Sequence, residues 1–152
     1  EGYVDLFLGF GVGAIGGVSA ALLLLGSIFL LGRTLVSGLT PLFYLLSFSV
    51  VIYIFGGLPY GGELYSGDLM FHLTTGATVL GAFFVATETV SSPLTGRGTA
   101  VYALLAGTLS ALFRLHGDGV HAVMLGILVA NMMVPLIDRY TMPTRFGIRS
   151  RT

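Results

Sequence analysis

The chain contains no cysteine, no lysine and no tryptophan among its 152 residues. Without cysteine it forms no disulfide and offers no thiolate to zinc or an iron–sulfur cluster. Charge is scarce as well: 9% of residues are charged, against roughly 25% in a soluble domain. So little charge cannot cover a water-exposed surface. The composition therefore predicts an integral membrane protein whose outer surface faces lipid or other protein. Seven arginines balance seven carboxylates, so only the placement of charge is informative. The chain starts at Glu1 and shows no signal-peptide pattern, as expected of a processed form or a piece of a longer protein.

What is present is apolar residues, 55% of the total, and 23 glycines. Five apolar stretches stand out, at residues 12–31, 41–55, 69–87, 99–113 and 120–137. A helix needs about 20 residues to cross a bilayer. The second and fourth stretches are short, so they span with flanking residues added, or are broken or tilted. The alternation expected of barrel strands is absent. The predicted fold is all-α, a single transmembrane domain over residues 1–152 with about five transmembrane helices, one or more of them broken.

The signs of the charges between stretches are ordered. Glu1 and Asp5 precede the first stretch, and Glu63 and Asp68 lie between the second and third. Arg33 and Arg97 occupy the first and third connections, and Asp138, Arg139, Arg145, Arg149 and Arg151 follow the fifth stretch. With five crossings, one side collects six arginines and the other only Arg114. The arginine-rich side is cytoplasmic by the positive-inside rule. This places the N-terminus outside and the C-terminus, with its basic tail, inside.

Gly11-Val12-Gly13-Ala14-Ile15-Gly16 satisfies G-x-G-x-x-G. A dinucleotide loop needs a preceding strand, a soluble helix and an acid about 20 residues on. Here an apolar run follows, and Arg33 stands where the acid belongs. The glycines instead suit close approach of membrane helices, or a helix break at membrane depth.

The third stretch is rich in threonine. Thr74, Thr75, Thr78 and Thr87 can bond carbonyls of their own helix. Glu88 sits at the cytoplasmic end of that apolar run, just before Ser91, Ser92 and Pro93 break it. Asn131 and Pro135 interrupt the fifth stretch seven and three residues before Asp138, and Pro135 frees a carbonyl. Glu88, Asp138 and Asn131 are the candidate ion path, since acids beside helix breaks suit cation traffic. The competing reading has both acids paired with Arg97 and Arg139. His116, Asp118 and His121 form an outer turn whose spacing matches no metal-ligand pattern; helix capping is its expected use. No nucleophile, base and orienter arrangement appears, and nothing suggests nucleic acid.

Two segments carry a resemblance: TTGATVLGAFFVATETVSSPLTGRG (residues 74–98) and GDGVHAVMLGILVANMMVPLIDRYTMP (residues 117–143). They resemble the RnfD proteins of Rnf electron-transport complexes and, less closely, the NqrB proteins of sodium-pumping NADH:quinone reductases. The family shows an S-G-A-T-x-L-x-A-F-F-x-A-T-D-P-V stretch and a closing A-N-x-x-x-P-L-I-D. The glycine start is similar to its G-x-x-P-G-S-x-G-E-T-S segment, with Gly9, Gly13, Gly16 and Ser19 in place. Val12, Ala14, Gly17 and Val18 replace the family's Pro, Ser, Glu and Thr, and Glu88 replaces an Asp.

The resemblance implies one of two inverted repeats of a urea-transporter-like fold, here the C-terminal one. It also implies a multi-pass subunit of the bacterial inner membrane, partnered by other membrane subunits of a ferredoxin:NAD+ oxidoreductase that moves Na+ or H+. The family carries FMN as a phosphoester on a threonine of an S/T-G-A-T motif, expected upstream of Glu1. Thr75-Gly76-Ala77-Thr78 looks like a second copy, which makes Thr75 and Thr78 candidate cofactor-binding residues. The alternative is a divergent structural subunit that binds no flavin and moves no ion, favoured by the acid missing at Gly17. A urea-transporter-like channel half would need more polar groups at midplane than Thr74, Thr78 and Asn131.

Overall fold

The structure, a computed structural model, describes residues 2–10, 15–33, 36–75, 77–117 and 119–143. Outside the described residues lie Glu1, Gly11 and Gly13 of the glycine start, Gly76, Asp118, and Arg145, Arg149 and Arg151 of the tail.

Among the described residues the regular structure is entirely helical: α1 Tyr3–Leu8, α2 Ala20–Gly32, α3 Leu39–Phe55, a 3-10 turn Leu58–Tyr60, α4 Leu69–Thr74, α5 Thr78–Leu80 running into a π-helical turn Gly81–Val85, α6 Gly96–His116 and α7 Gly119–Thr141. The starts of α2, α4 and α6 are each set by a local polar group. Ser19 Oγ accepts from the Leu22 amide at 3.3 Å, Asp68 from Phe71 at 3.1 Å, and Thr95 from Gly98 at 3.0 Å. Such caps satisfy amides that have no partner within the helix. Pro41 falls in the first turn of α3, where its missing N–H costs nothing.

The five apolar stretches all contribute helix, with altered limits. The first becomes helical only at Ala20, after Gly16 takes φ +83°. The fourth lengthens to 21 residues and the fifth to 23. The helices Gly96–His116 and His121–Thr141 are long and apolar enough to cross a membrane, whereas α2 and α3 are apolar but shorter. The third stretch is broken. α4 ends at Thr74, Ala77 takes φ +61°, and the chain restarts as α5.

α6 packs along both α3 and α7, with the π-helical turn against them. The core is Tyr44, Phe48 and Ile52 of α3, Tyr102 and Ala106 of α6, and Ile127 of α7. Glycine makes this closeness possible. A Cβ on Gly107 would overlap the Tyr44 carbonyl, and one on Gly126 would overlap the Ser110 backbone. Outward faces stay apolar: Leu22, Leu25 and Ile28 of α2 and Leu128 and Met132 of α7 are exposed. Such surfaces suit a bilayer or a protein neighbour, not water.

Candidate functional site

Polar groups gather at two places, one at each end of the bundle. The first is the break in the third apolar stretch. Arg114, one turn from the end of α6, is 7% exposed. Its Nε donates to Nδ1 of His72 at 2.9 Å, Nη2 to Oγ1 of Thr75 at 2.6 Å, and Nη1 to Oγ1 of Thr78 at 3.4 Å. The threonines serve the break as well. Thr75 donates to the Phe71 carbonyl, and Thr78 to the carbonyls of His72 at 2.8 Å and Thr75 at 3.1 Å. One guanidinium thus ties both sides of the interrupted helix to α6. Thr74 and Thr87 bond carbonyls of their own turns, as threonines in membrane helices commonly do.

A cavity of about 290 Å³ lies beside this cluster, lined by Gly56, Gly57, Ser66, Asp68, Phe71 and His72. Asp68 also accepts a 2.7 Å bond from the Tyr3 hydroxyl, which ties α1 to the start of α4. That bond, followed by the Phe71 amide, holds the Asp68 carboxyl below the usual carboxylate range.

The second place holds the acids. Asp138 accepts from the Leu94 amide at 3.1 Å, drawing the last turns of α7 against the loop at residues 86–95. Glu88, on that same loop, is exposed. Asn131 Oδ1 accepts a 2.5 Å bond from the Tyr102 hydroxyl and lines a cavity of about 400 Å³ with Val85, His121 and Leu128. Among the described residues no ion pair joins Glu88 or Asp138 to Arg97 or Arg139. The structure therefore brings Asp138 to the loop that bears Glu88, and puts Asn131 in the core wall. Thr75 and Thr78 lie at the opposite end, with Arg114. His116 and His121 are exposed, and no group of three metal-ligating side chains occurs among the described residues.

The sequence pattern gives His72 and Arg114 no role in a site. One signal was present: Arg114 is the single arginine on the side where the positive-inside rule disfavours one. An ionisable group flanked by apolar residues is a site candidate on that ground alone.

Long apolar helices, lipid-compatible outer faces and a broken helix clamped by a buried arginine define a helical membrane protein. Residues 1–147 match the family described as NQR2, RnfD, RnfE, and the chain belongs to that family. It is 37% identical over 147 residues to the D subunit of the proton-translocating ferredoxin:NAD(+) oxidoreductase complex of Clostridium ljungdahlii, covering 97% of this chain and 44% of that protein. It is 35% identical, also over 147 residues, to the Na(+)-translocating counterpart of Acetobacterium woodii, covering 95% and 43%. The D subunit of the ion-translocating oxidoreductase complex of Aeromonas salmonicida is 49% identical over 82 residues, 54% of this chain and 23% of that protein. The chain thus spans less than half the length of the relatives it matches.

Proposed function

We propose that the chain forms part of a D subunit of an Rnf-type ferredoxin:NAD+ oxidoreductase in a bacterial inner membrane. It crosses five times, with its N-terminus outside and its C-terminus inside, as one of two inverted repeats. Its role is to shape the cytoplasmic end of a Na+ or H+ path. The observation that carries this reading is the Asp138–Leu94 bond. It fixes an acid at the end of a long apolar helix against a loop bearing a second acid, Glu88. Acids at the end of an apolar membrane helix are candidates for ion traffic. Pro135, inside α7, frees the Asn131 carbonyl one turn away, a further oxygen for a hard cation.

Electron transfer belongs to flavin and to other subunits. We read Thr75 and Thr78 as the seat of Arg114 rather than as phosphoester acceptors for FMN. Thr78 is 1% exposed, and its hydroxyl is already bonded to two carbonyls and to Arg114. A phosphoester there would displace all three. Flavin fluorescence on a denaturing gel is expected to be absent from peptides holding residues 69–87.

Asp138→Asn in the intact complex tests the ion path. Asparagine keeps an acceptor for Leu94 and removes the charge. The expected result is a fall in ion-coupled turnover of roughly tenfold, about 1.4 kcal/mol, with the complex still assembled. Unchanged coupled turnover would favour a structural subunit, a reading that the exposure of Glu88 supports.

A further inference from the structure

We propose that His72 is a proton-binding site reached from the outer aqueous phase, and that its protonation releases Arg114 and loosens the break in the third apolar segment. The argument starts from the donor inventory. A guanidinium only donates and does not lose its proton in a protein. Arg114 Nε stands 2.9 Å from His72 Nδ1, so Nδ1 presents its lone pair and the ring proton sits on Nε2. The clamped state is therefore the neutral ring. A second proton would go to Nδ1. It would set two donors and two positive charges against each other at that distance, and the contact must open.

The proton has a route. His72 is 4% exposed overall, yet it lines the 290 Å³ cavity with Ser66 and Asp68, both at the exposed rim. Asp68 caps α4 one turn before His72, so its carboxylate attracts a proton toward the ring while Arg114 opposes it. Among the described residues, the charged groups facing His72 are these two, with Tyr3 of α1 acting through Asp68 and the buried Tyr44 phenol of α3 acting through Arg114. No electrons move. One proton from water forms an N–H bond at Nδ1, and one hydrogen bond, Arg114 Nε–H to Nδ1, is lost.

The consequence follows from what else Arg114 holds. Its bonds to Thr75 and Thr78 are the struts between the broken helix and α6. Ala77, at φ +61°, holds a backbone conformation that a non-glycine residue keeps only when its surroundings impose it. When the guanidinium shifts away from the protonated ring, its bonds to Thr75 and Thr78 are strained and that imposition weakens. The outward placement of His72 rests on the topology proposed above; the clamp itself does not.

The test is hydrogen–deuterium exchange with mass spectrometry on the full-length protein in liposomes. It is read at residues 75–82, corrected for the intrinsic rate, and referenced to peptides of α6 and α7. From about pH 8 to about pH 3, exchange in the native protein is expected to rise roughly tenfold. In His72→Gln, whose amide oxygen still accepts from Arg114 but does not titrate, it is expected to stay flat. A flat native profile, or a parallel rise in the variant, overturns the proposal. If His72→Gln does not fold, Asp68→Asn serves: its transition should move to lower pH, and an unmoved transition overturns the proposal equally. Failure here with coupled turnover still lost in Asp138→Asn discards the clamp and keeps the ion path. The converse result discards the ion path and keeps the clamp.

Discussion

Gly126 of α7 lies directly against the backbone of Ser110 on α6, with no room for a methyl group between them. Ser110 uses the closeness, donating to the Val123 carbonyl at 3.2 Å. Between membrane helices the lipid supplies no hydrophobic drive, so small residues that admit close packing supply the association. Gly107 does the same between α6 and α3. Gly126→Ala and Gly107→Ala are each expected to cost about 1–3 kcal/mol through overpacking, seen as a lower thermal midpoint in detergent. Gly32→Ala is the control. No atom lies within 4 Å of its added Cβ, and the midpoint should hold.

Tyr102 and Asn131 form a second pairing of α6 with α7. Tyr102→Phe leaves the Asn131 oxygen without its donor and is expected to cost about 1–2 kcal/mol. Adding Asn131→Leu to Tyr102→Phe removes both polar partners, so the double variant should recover much of the loss. A double-mutant cycle on unfolding in mixed micelles measures the coupling. Purely additive losses would mean that the hydrogen bond contributes nothing.

The Tyr3–Asp68 bond makes the docking of α1 dependent on pH. Asp68 is held below its ordinary range chiefly by the Tyr3 hydroxyl. A depressed carboxyl stabilises the docked state at pH values above the unfolded range, and that contribution disappears as pH falls through the lowered value. Spin labels at exposed Val4 and Met70 should report a single distance near neutral pH and a broadened distribution in acid. Tyr3→Phe should broaden it at every pH.

The proposed sidedness is open to a direct check, and residues 1–152 contribute no cysteine background of their own. Cysteines at exposed Leu64 and Val90 should react with a membrane-impermeant maleimide from opposite sides, Leu64 from the periplasm and Val90 only after the cytoplasmic face is opened. Labelling of both from one side would discard the five crossings.

The apolar stretches made most of the helices legible, because length and hydropathy are local properties. The third run ends at Val85, ahead of Glu88 and of the break at residues 91–93 that the composition placed. The start of α2 escaped because apolar glycine-rich sequence reads equally well as helix and as turn. The break at residues 75–77 escaped because threonine is compatible with either state. It is set by Arg114, which is 36 residues from Thr78 and 42 from His72 along the chain. Only the return of α6 past α4 and α5 brings these groups together. Glu88 and Asp138 were visible as isolated acids, but the partner that the structure gives Asp138 is a backbone amide, which no residue pattern announces.

One dimension of α2 bears on the membrane itself. Its 13 residues rise only about 20 Å, against a hydrocarbon thickness of roughly 30 Å. Its flank is apolar to the end, and Arg33, which closes it, folds its guanidinium back over the Phe29 ring at 5.5 Å. On the five-crossing topology proposed above, lipid beside this helix dimples inward or a neighbouring subunit covers the shortfall. Either way, hydrophobic mismatch marks this flank as the place where acyl-chain length would tune how the subunit seats in its complex.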